Sequence, residues 1–130
     1  MNAIYARQSV DRADSISIES QIEFCQYEMR GEQYKVYTDR GYSGKNTDRP
    51  AFAEMMNQKA AELGCTNTHF ANANGLHNDN HYTSAHDMAL ITSEATKHEE
   101  FRKISGTSRY VLRATNKKSD ELLMNNHHYM

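Results

Sequence analysis

The feature that most constrains this fold is one amphipathic helix pattern between two short strand-like runs. Apolar residues separated by four, seven and eleven positions share one side of a helix with 3.6 residues per turn: Ile18, Ile22, Cys25 and Met29. Ser17 is a favourable N-cap, and Gly31 is a favourable C-terminal stop. The flanking runs are Ala3–Ala6 and Tyr34–Asp39. A strand, helix, strand order predicts a right-handed crossover and therefore a parallel strand pair.

A second amphipathic helix is predicted from about Arg49 to Leu63. Pro50 suits its first turn, and Gly64 suits its C-terminal cap. The apolar stripe comprises Phe52, Met55, Met56, Ala60 and Leu63. Residues 1–63 therefore follow the order β, α, β, α, and we expect an α/β fold.

The remaining residues, 64–130, give weaker patterns, and we expect an α-rich, irregular segment there. All seven histidines lie after Asn57, so the two parts differ in composition. The patterns predict a short strand at Thr68–Phe70, a helix over Ser84–His98 and a strand at Arg109–Leu112.

Length and charge limit the classes of function. A chain of 130 residues allows one modest domain or two incomplete ones. Fifteen basic against 17 acidic side chains give a net charge of −2, so any contact with DNA must be local. The apolar runs are only a few residues long, which predicts no signal peptide, no membrane-spanning helix and a cytoplasmic protein. Cys25 and Cys65 are expected to be reduced thiols.

The first candidate for chemistry is the pair Arg7 and Ser9 at the end of the first strand. In an extended chain their side chains leave on the same face. A guanidinium can hold a phosphate or carboxylate and stabilise developing charge beside a serine nucleophile. An isolated R-x-S spacing is more often an ordinary strand end. The residues around Arg7 and Ser9 must therefore decide whether the pair is catalytic.

That pattern consists of four linked segments: Y-A-R-Q-S at 5–9, D-R-A-D-S-I-S-I-E-S-Q at 11–21, Y-T-D-R-G-Y-S-G-K at 37–45 and D-R-P-A-F at 48–52. In order and spacing they resemble the catalytic domain of the serine recombinase (resolvase/invertase) family, over about residues 1–56. The resemblance implies that a serine attacks a DNA phosphodiester and forms a 5′-phosphoserine intermediate. It also implies DNA as partner, with no metal and no cofactor.

Carried over by position, Ser9 resembles the family's nucleophile, and Arg7 and Arg49 resemble two arginines that grip the scissile phosphate. The resemblance gives supporting roles to Tyr5, Gln21, Asp39, Ser43 and Gly44. The family's D-R-x-x-R segment, long dimerisation helix and separate DNA-binding region have no counterpart in this sequence. The phosphate cage would thus keep two of four arginines. The resemblance implies a homo-oligomer, but the absence of the dimerisation helix argues against the family's usual assembly.

The second part resembles a different family. The segments at 56–76, 81–91 and 115–123 are similar to the central stretch of D-alanyl-D-alanine carboxypeptidases, which are penicillin-binding serine peptidases. The resemblance covers about residues 55–125. The chemistry of that family needs S-x-x-K, S-x-N and K-T-G motifs, and this sequence contains none of them.

The sequence therefore predicts a chimera of a partial serine recombinase catalytic domain at 1–63 and a partial carboxypeptidase-like segment at 64–130. The predicted function is site-specific DNA recombination by a truncated, weakly active or inactive form. The alternative is a fragment of a cell-wall D-Ala-D-Ala carboxypeptidase that lacks its nucleophile.

Two further clusters receive ordinary interpretations. His77, His81 and His86 fit no standard zinc spacing and are expected to be solvated loop residues, so no metal site is predicted. Four acidic residues are expected to form the wet face of a helix: Asp87, Glu94, Glu99 and Glu100.

Overall fold

The computed structural model describes residues 2–8, 16–41 and 48–126. Its elements in chain order are β1 (Asn2–Gln8), α1 (Ile18–Met29), β2 (Tyr34–Arg40), α2 (Pro50–Glu62), α3 (Ala85–Ala95), α4 (Glu99–Ser105), β3 (Arg109–Leu112) and β4 (Leu122–Asn125). The α/β class and the β, α, β, α order of the first part are confirmed. The chain forms two compact units, 1–91 and 92–130. The predicted boundary between the two partial domains, after residue 63, was drawn from sequence resemblance and stays a prediction.

Strands β1 and β2 pair in parallel, as predicted from the crossover. Tyr5 is aligned with Tyr37, and Arg7 is aligned with Asp39. Because aligned residues of parallel strands project to the same face, these four side chains share one face of the sheet. Helix α1 packs against β1, and α2 packs against β2. The C-terminal ends of both strands therefore meet at one edge beside the start of α2.

Helix α1 begins and ends where its sequence predicts. The Ser17 hydroxyl accepts a hydrogen bond from the Ser20 N–H at 3.1 Å, which satisfies one free donor of the first turn. The helix ends at Arg30, which has a left-handed backbone (φ 48°), and Gly31 follows with φ 86°. Ile18 is fully buried. The predicted apolar stripe is thus the side of α1 that packs.

Strand β2 is half-buried: Tyr37 and Asp39 are its buried residues, whereas Val36 and Thr38 are exposed. Helix α2 follows the prediction within one residue at each end, and Gly64 lies just beyond its last turn with φ 84°. On the sheet side of α2, the Lys35 ammonium donates to Glu54 at 3.0 Å and to Gln58 at 2.9 Å. These bonds hold α2 against β2.

Beyond α2 the structure contains two elements that the sequence did not predict, helix α4 and strand β4. The predicted helix is present as α3, whereas the predicted strand at 68–70 is reduced to one antiparallel bridge between His69 and Tyr82. The predicted strand β3 is confirmed, and it pairs with the unpredicted β4 as an antiparallel hairpin. No helix in the described part of the chain is long and apolar enough to cross a membrane.

Candidate functional site

The candidate site lies where β1 and β2 end, on the face that carries Tyr5, Arg7 and Asp39. The carboxyl ends of parallel strands are the usual place for ligands in open α/β sheets. Three predicted site residues, Ser9, Ser43 and Gly44, lie outside the described residues. The structure therefore places both arginines and three of the five supporting residues, Tyr5, Gln21 and Asp39.

Asp39 fixes the start of α2. Its carboxylate is 1 % exposed and accepts hydrogen bonds from the Ala51 N–H at 3.0 Å and the Phe52 N–H at 3.3 Å. It also accepts a bond from the Tyr5 hydroxyl at 2.9 Å. A carboxylate at a helix N-terminus satisfies free N–H groups and interacts favourably with the helix dipole. Asp39 thus joins β1, β2 and α2 at one point.

The pKa of Tyr5 depends on the charged groups around Asp39. Burial, the hydrogen bond to Asp39 and the charge of that carboxylate raise the pKa of Tyr5 to about 12, against the lowering effect of Arg49 and Arg7. Both guanidinium groups are therefore close enough to act on the Tyr5 hydroxyl. The Tyr5 ring also packs edge-on against Phe52, with ring centroids 4.8 Å apart. The structure thus brings together four of the predicted residues, with Tyr5 as a neutral phenol.

Arg7 carries unused hydrogen-bond donors. Its Nε and Nη2 atoms are buried and have no hydrogen-bond partner among the described residues. A buried unpaired donor is costly, and a guanidinium that presents two N–H groups matches the geometry of a phosphate or carboxylate. Arg49 stands at the N-cap of α2, where its Nη1 donates to the Asp48 carbonyl at 2.9 Å. This arrangement suits an oxyanion.

Gln21 holds the backbone of Arg7. Its Oε1 accepts from the Arg7 N–H at 3.2 Å, and its Nε2 donates to the Arg7 carbonyl and to the Ile16 carbonyl, each at 2.9 Å. The side chain thus binds Arg7 much as a neighbouring strand would. Gln21 is a positioning residue, since it fixes β1 two residues before Ser9.

A second polar centre surrounds Asp87, and here the sequence prediction was wrong. Asp87 does not belong to a wet helix face, because it is 1 % exposed and accepts bonds from the Asn67 N–H at 2.7 Å and the Thr68 hydroxyl at 2.8 Å. Burial opposes its ionisation, but the bonds from Thr68, Asn67, His86 and Ser84 outweigh burial and lower the pKa of Asp87. The Ser84 Oγ accepts from the Asp87 N–H at 3.1 Å. The spacing Ser84-x-x-Asp87, close to a capping box, was the available sequence signal.

Comparison with known families agrees with this division of polar centres. A family model described as "Resolvase, N terminal domain" matches residues 2–68, and one described as "D-alanyl-D-alanine carboxypeptidase" matches residues 42–130. Each match spans more than half of the chain. The chain belongs to both families. The chimeric description is thereby confirmed. Tyr5, Arg7 and Asp39 fall in the resolvase match alone, Arg49 falls in both matches, and Asp87 falls in the carboxypeptidase match alone.

Relatives of the carboxypeptidase part give a closer comparison. The chain is 43 % identical over 75 residues to D-alanyl-D-alanine carboxypeptidase DacF of Bacillus subtilis, a stretch that covers 58 % of this chain and 19 % of that protein. It is 51 % identical over 41 residues to DacA of Escherichia coli K12, which covers 32 % and 10 %. The crystal structure of a Mycobacterium tuberculosis D-alanyl-D-alanine carboxypeptidase aligns with TM-score 0.52 and 29 % identity, over 60 % of this chain and 29 % of that one. The chain thus spans about a fifth of the length of DacF.

The two family matches overlap at residues 42–68, and this overlap contains the whole of α2. The resolvase–carboxypeptidase junction is therefore a shared helix. Towards the resolvase part, α2 contacts β2 through Glu54 and Gln58. Towards the carboxypeptidase part, the Asn57 Nδ2 donates to the Phe70 carbonyl at 2.9 Å, and the Phe70 N–H donates to the Asn57 Oδ1 at 2.7 Å. No sequence motif singled out Asn57, because its role depends on a contact 13 residues away.

The histidine cluster does not assemble in the described part of the chain, where no group of three or more His, Cys, Asp or Glu side chains could hold a metal ion. His77 and His86 are exposed, as predicted for solvated residues. His81 is half-buried, and its Nδ1 accepts from the Ala71 N–H at 3.3 Å.

Proposed function

We propose that the resolvase part binds a DNA phosphodiester through Arg7 and Arg49 and that Ser9 attacks its phosphorus, as a weakly active, cytoplasmic DNA recombinase. The observation that carries this proposal is the pair of buried Arg7 nitrogens, Nε and Nη2, with no partner among the described residues. The charges of Arg49 and Arg7 both act to lower the pKa of Tyr5, which supports a role for the two cations at one phosphate. Membership of the resolvase family supports a phosphodiester as the anion.

In the proposed reaction the Ser9 hydroxyl loses its proton as its oxygen forms a bond to phosphorus. The bond from phosphorus to the 3′ oxygen breaks, and a proton passes to that oxygen, leaving a 5′-phosphoserine and a free 3′-hydroxyl. The Arg7 and Arg49 guanidiniums stabilise the negative charge that develops on the phosphoryl oxygens. Tyr5 contributes as a neutral neighbour, because its pKa of about 12 keeps it protonated at neutral pH.

Trapping a covalent adduct tests this function. The chain is incubated with labelled, nicked duplexes in which a released strand diffuses away, and adducts are separated on a denaturing gel. We expect a faint adduct that is absent from Ser9→Ala and reduced in Arg7→Ala, while the matched control Ser93→Ala, an exposed helical serine, keeps it. An adduct that persists in Ser9→Ala, or no adduct from a chain with folded circular dichroism, would reject the proposed chemistry.

A second candidate function rests on the carboxypeptidase match over residues 42–130. On this alternative the chain is a fragment of a cell-wall D-Ala-D-Ala carboxypeptidase. The absence of S-x-x-K, S-x-N and K-T-G from the sequence predicts neither acylation by fluorescent penicillin nor release of D-alanine from a D-Ala-D-Ala peptide. A penicillin-labelled band at the mass of the chain would contradict this candidate, because acylation requires a nucleophile that the fragment is described as lacking.

A further inference from the structure

The second compact unit, residues 92–130, has little interior of its own. None of its described side chains, from Thr92 to Asn126, is buried. A two-stranded hairpin is at best marginally stable in water unless one of its faces packs against another surface. Both faces of the β3–β4 hairpin instead carry apolar side chains that are 43–59 % exposed: Tyr110, Val111, Leu112, Leu122, Leu123 and Met124. Contiguous exposed apolar surface of this kind marks a site of interaction with a partner.

One face of the hairpin borders a groove that runs along α4. Tyr110 and Met124, which are aligned across the two strands, line this groove of about 740 Å³ together with Ile104 of α4. At the base of the groove, the Asn126 N–H donates to the Ser108 carbonyl at 2.9 Å. This bond ties the end of β4 to the chain just after α4. The structure thus forms an apolar groove, here called the α4–hairpin groove, within the second compact unit.

The α4–hairpin groove is lined by one acidic and one basic side chain, Glu100 and Lys103 of α4. Both are exposed, and neither side chain forms a hydrogen bond or an ion pair within the described part of the chain. Because they are three residues apart on a helix, they lie on the same side of α4. A strongly charged partner would attract one of them and repel the other. A second copy of this chain avoids that conflict, because a two-fold axis between antiparallel α4 helices brings each Glu100 to the Lys103 of the other copy.

We propose that the α4–hairpin groove is the interface of a homodimer, in which Glu100 of each copy pairs with Lys103 of the other and Ile104 of each copy enters the groove of the other. Ile104 suits this role because it lines the groove and is 75 % exposed. An apolar centre with a charged rim is the usual composition of such an interface. The groove lies beyond the resolvase match, which ends at residue 68, so this dimer does not use the recombinase dimerisation helix. The inference is independent of phosphate binding at Arg7 and Arg49.

Sedimentation equilibrium of the full chain at low salt tests this interface. As the concentration rises from about 1 to about 100 μM, we expect the mass of the wild type to approach twice the 14.9 kDa of one chain. Glu100→Lys and Lys103→Glu should each raise the dimer dissociation constant at least about tenfold, because each creates two like-charge contacts across the two-fold axis. The matched control is Glu28→Lys, the same charge change at an exposed helical residue of the other compact unit, and it should keep the wild-type constant.

An equal mixture of the two charge variants separates contact across the interface from damage to α4. In the groove, the Glu100→Lys chain carries two basic side chains and the Lys103→Glu chain carries two acidic ones. The mixture should therefore form a heterodimer within about threefold of the wild-type dissociation constant, whereas a damaged α4 would stay damaged on mixing. A wild type that stays at the mass of one chain, or that grows beyond two copies, would overturn the proposal. So would single variants that dimerise like the wild type, or a mixture that does not recover.

Discussion

Replacing Asp39 with alanine tests whether this buried carboxylate holds the start of α2 against the sheet. The change removes the acceptor for two N–H groups, those of Ala51 and Phe52, and for the Tyr5 hydroxyl. Loss of an N-cap acceptor costs about 1 kcal/mol, and a part-buried hydroxyl left without a partner costs about 1–3 kcal/mol. We therefore expect the free energy of unfolding to fall by about 3 kcal/mol, a large share of the stability of a small domain.

Urea unfolding followed by circular dichroism measures this loss. With a slope of about 2 kcal/mol per molar urea, the midpoint should fall by about 1.5 M. The matched control is Asp79→Ala, because the Asp79 side chain is 99 % exposed, and its midpoint should stay within about 0.3 M of the wild type. A fall of less than about 0.5 M in Asp39→Ala would refute the idea that Asp39 anchors α2.

Three further changes test the remaining polar contacts. The pKa of Tyr5 is raised to about 12, so Tyr5 contributes stability that is present below its usual pKa of 10 and is lost as the pH rises between the two values. In Tyr5→Phe the free energy of unfolding should therefore fall less steeply with pH over that range in alkaline titrations. The pKa of Asp87 is lowered, so its contribution to stability is present above the ordinary aspartate pKa and is lost as the pH falls below that value. Asp87→Asn should therefore be less stable than the wild type at neutral pH, and its free energy of unfolding should fall less steeply with decreasing pH. Gln21→Ala should speed amide exchange at Arg7 and cost about 1–2 kcal/mol in urea unfolding, and an unchanged exchange rate would remove its positioning role.

Local patterns predicted the first part of the fold well. Ser17, Gly31, Pro50 and Gly64 mark helix ends through their own backbone or side-chain preferences, and all four lie at or within two residues of an observed end. The parallel pairing of β1 and β2 followed from the handedness of the crossover. Helix ends and the pairing of consecutive strands depend on residues that are close in the chain, so a sequence pattern is enough to predict them.

The missed features depend on distant partners. Asp87 is buried because the Asn67 N–H and Thr68 hydroxyl reach it from 20 and 19 residues away, so its position on a helix did not reveal its environment. The apolar run Leu122–Asn125 lacks an alternating pattern, and only pairing with Arg109–Leu112 makes it a strand. In the candidate site, family resemblance found Tyr5. The two Arg7 nitrogens that lack a hydrogen-bond partner among the described residues became visible only in three dimensions.

The shared helix explains how two unrelated family matches can exist in one chain. The sheet side of α2 accepts a hydrogen bond from Lys35, and the first-turn N–H groups of α2 donate to the Asp39 carboxylate. Another part of its surface binds Phe70 through Asn57. Each part therefore depends on α2 for contacts that the other part does not use. A cut at either edge of the family overlap, before residue 42 or after residue 68, would leave one part without this helix. The first compact region extends past the end of the resolvase match to residue 91, and the hydrogen bonds between Asn57 and Phe70 join α2 to that extension.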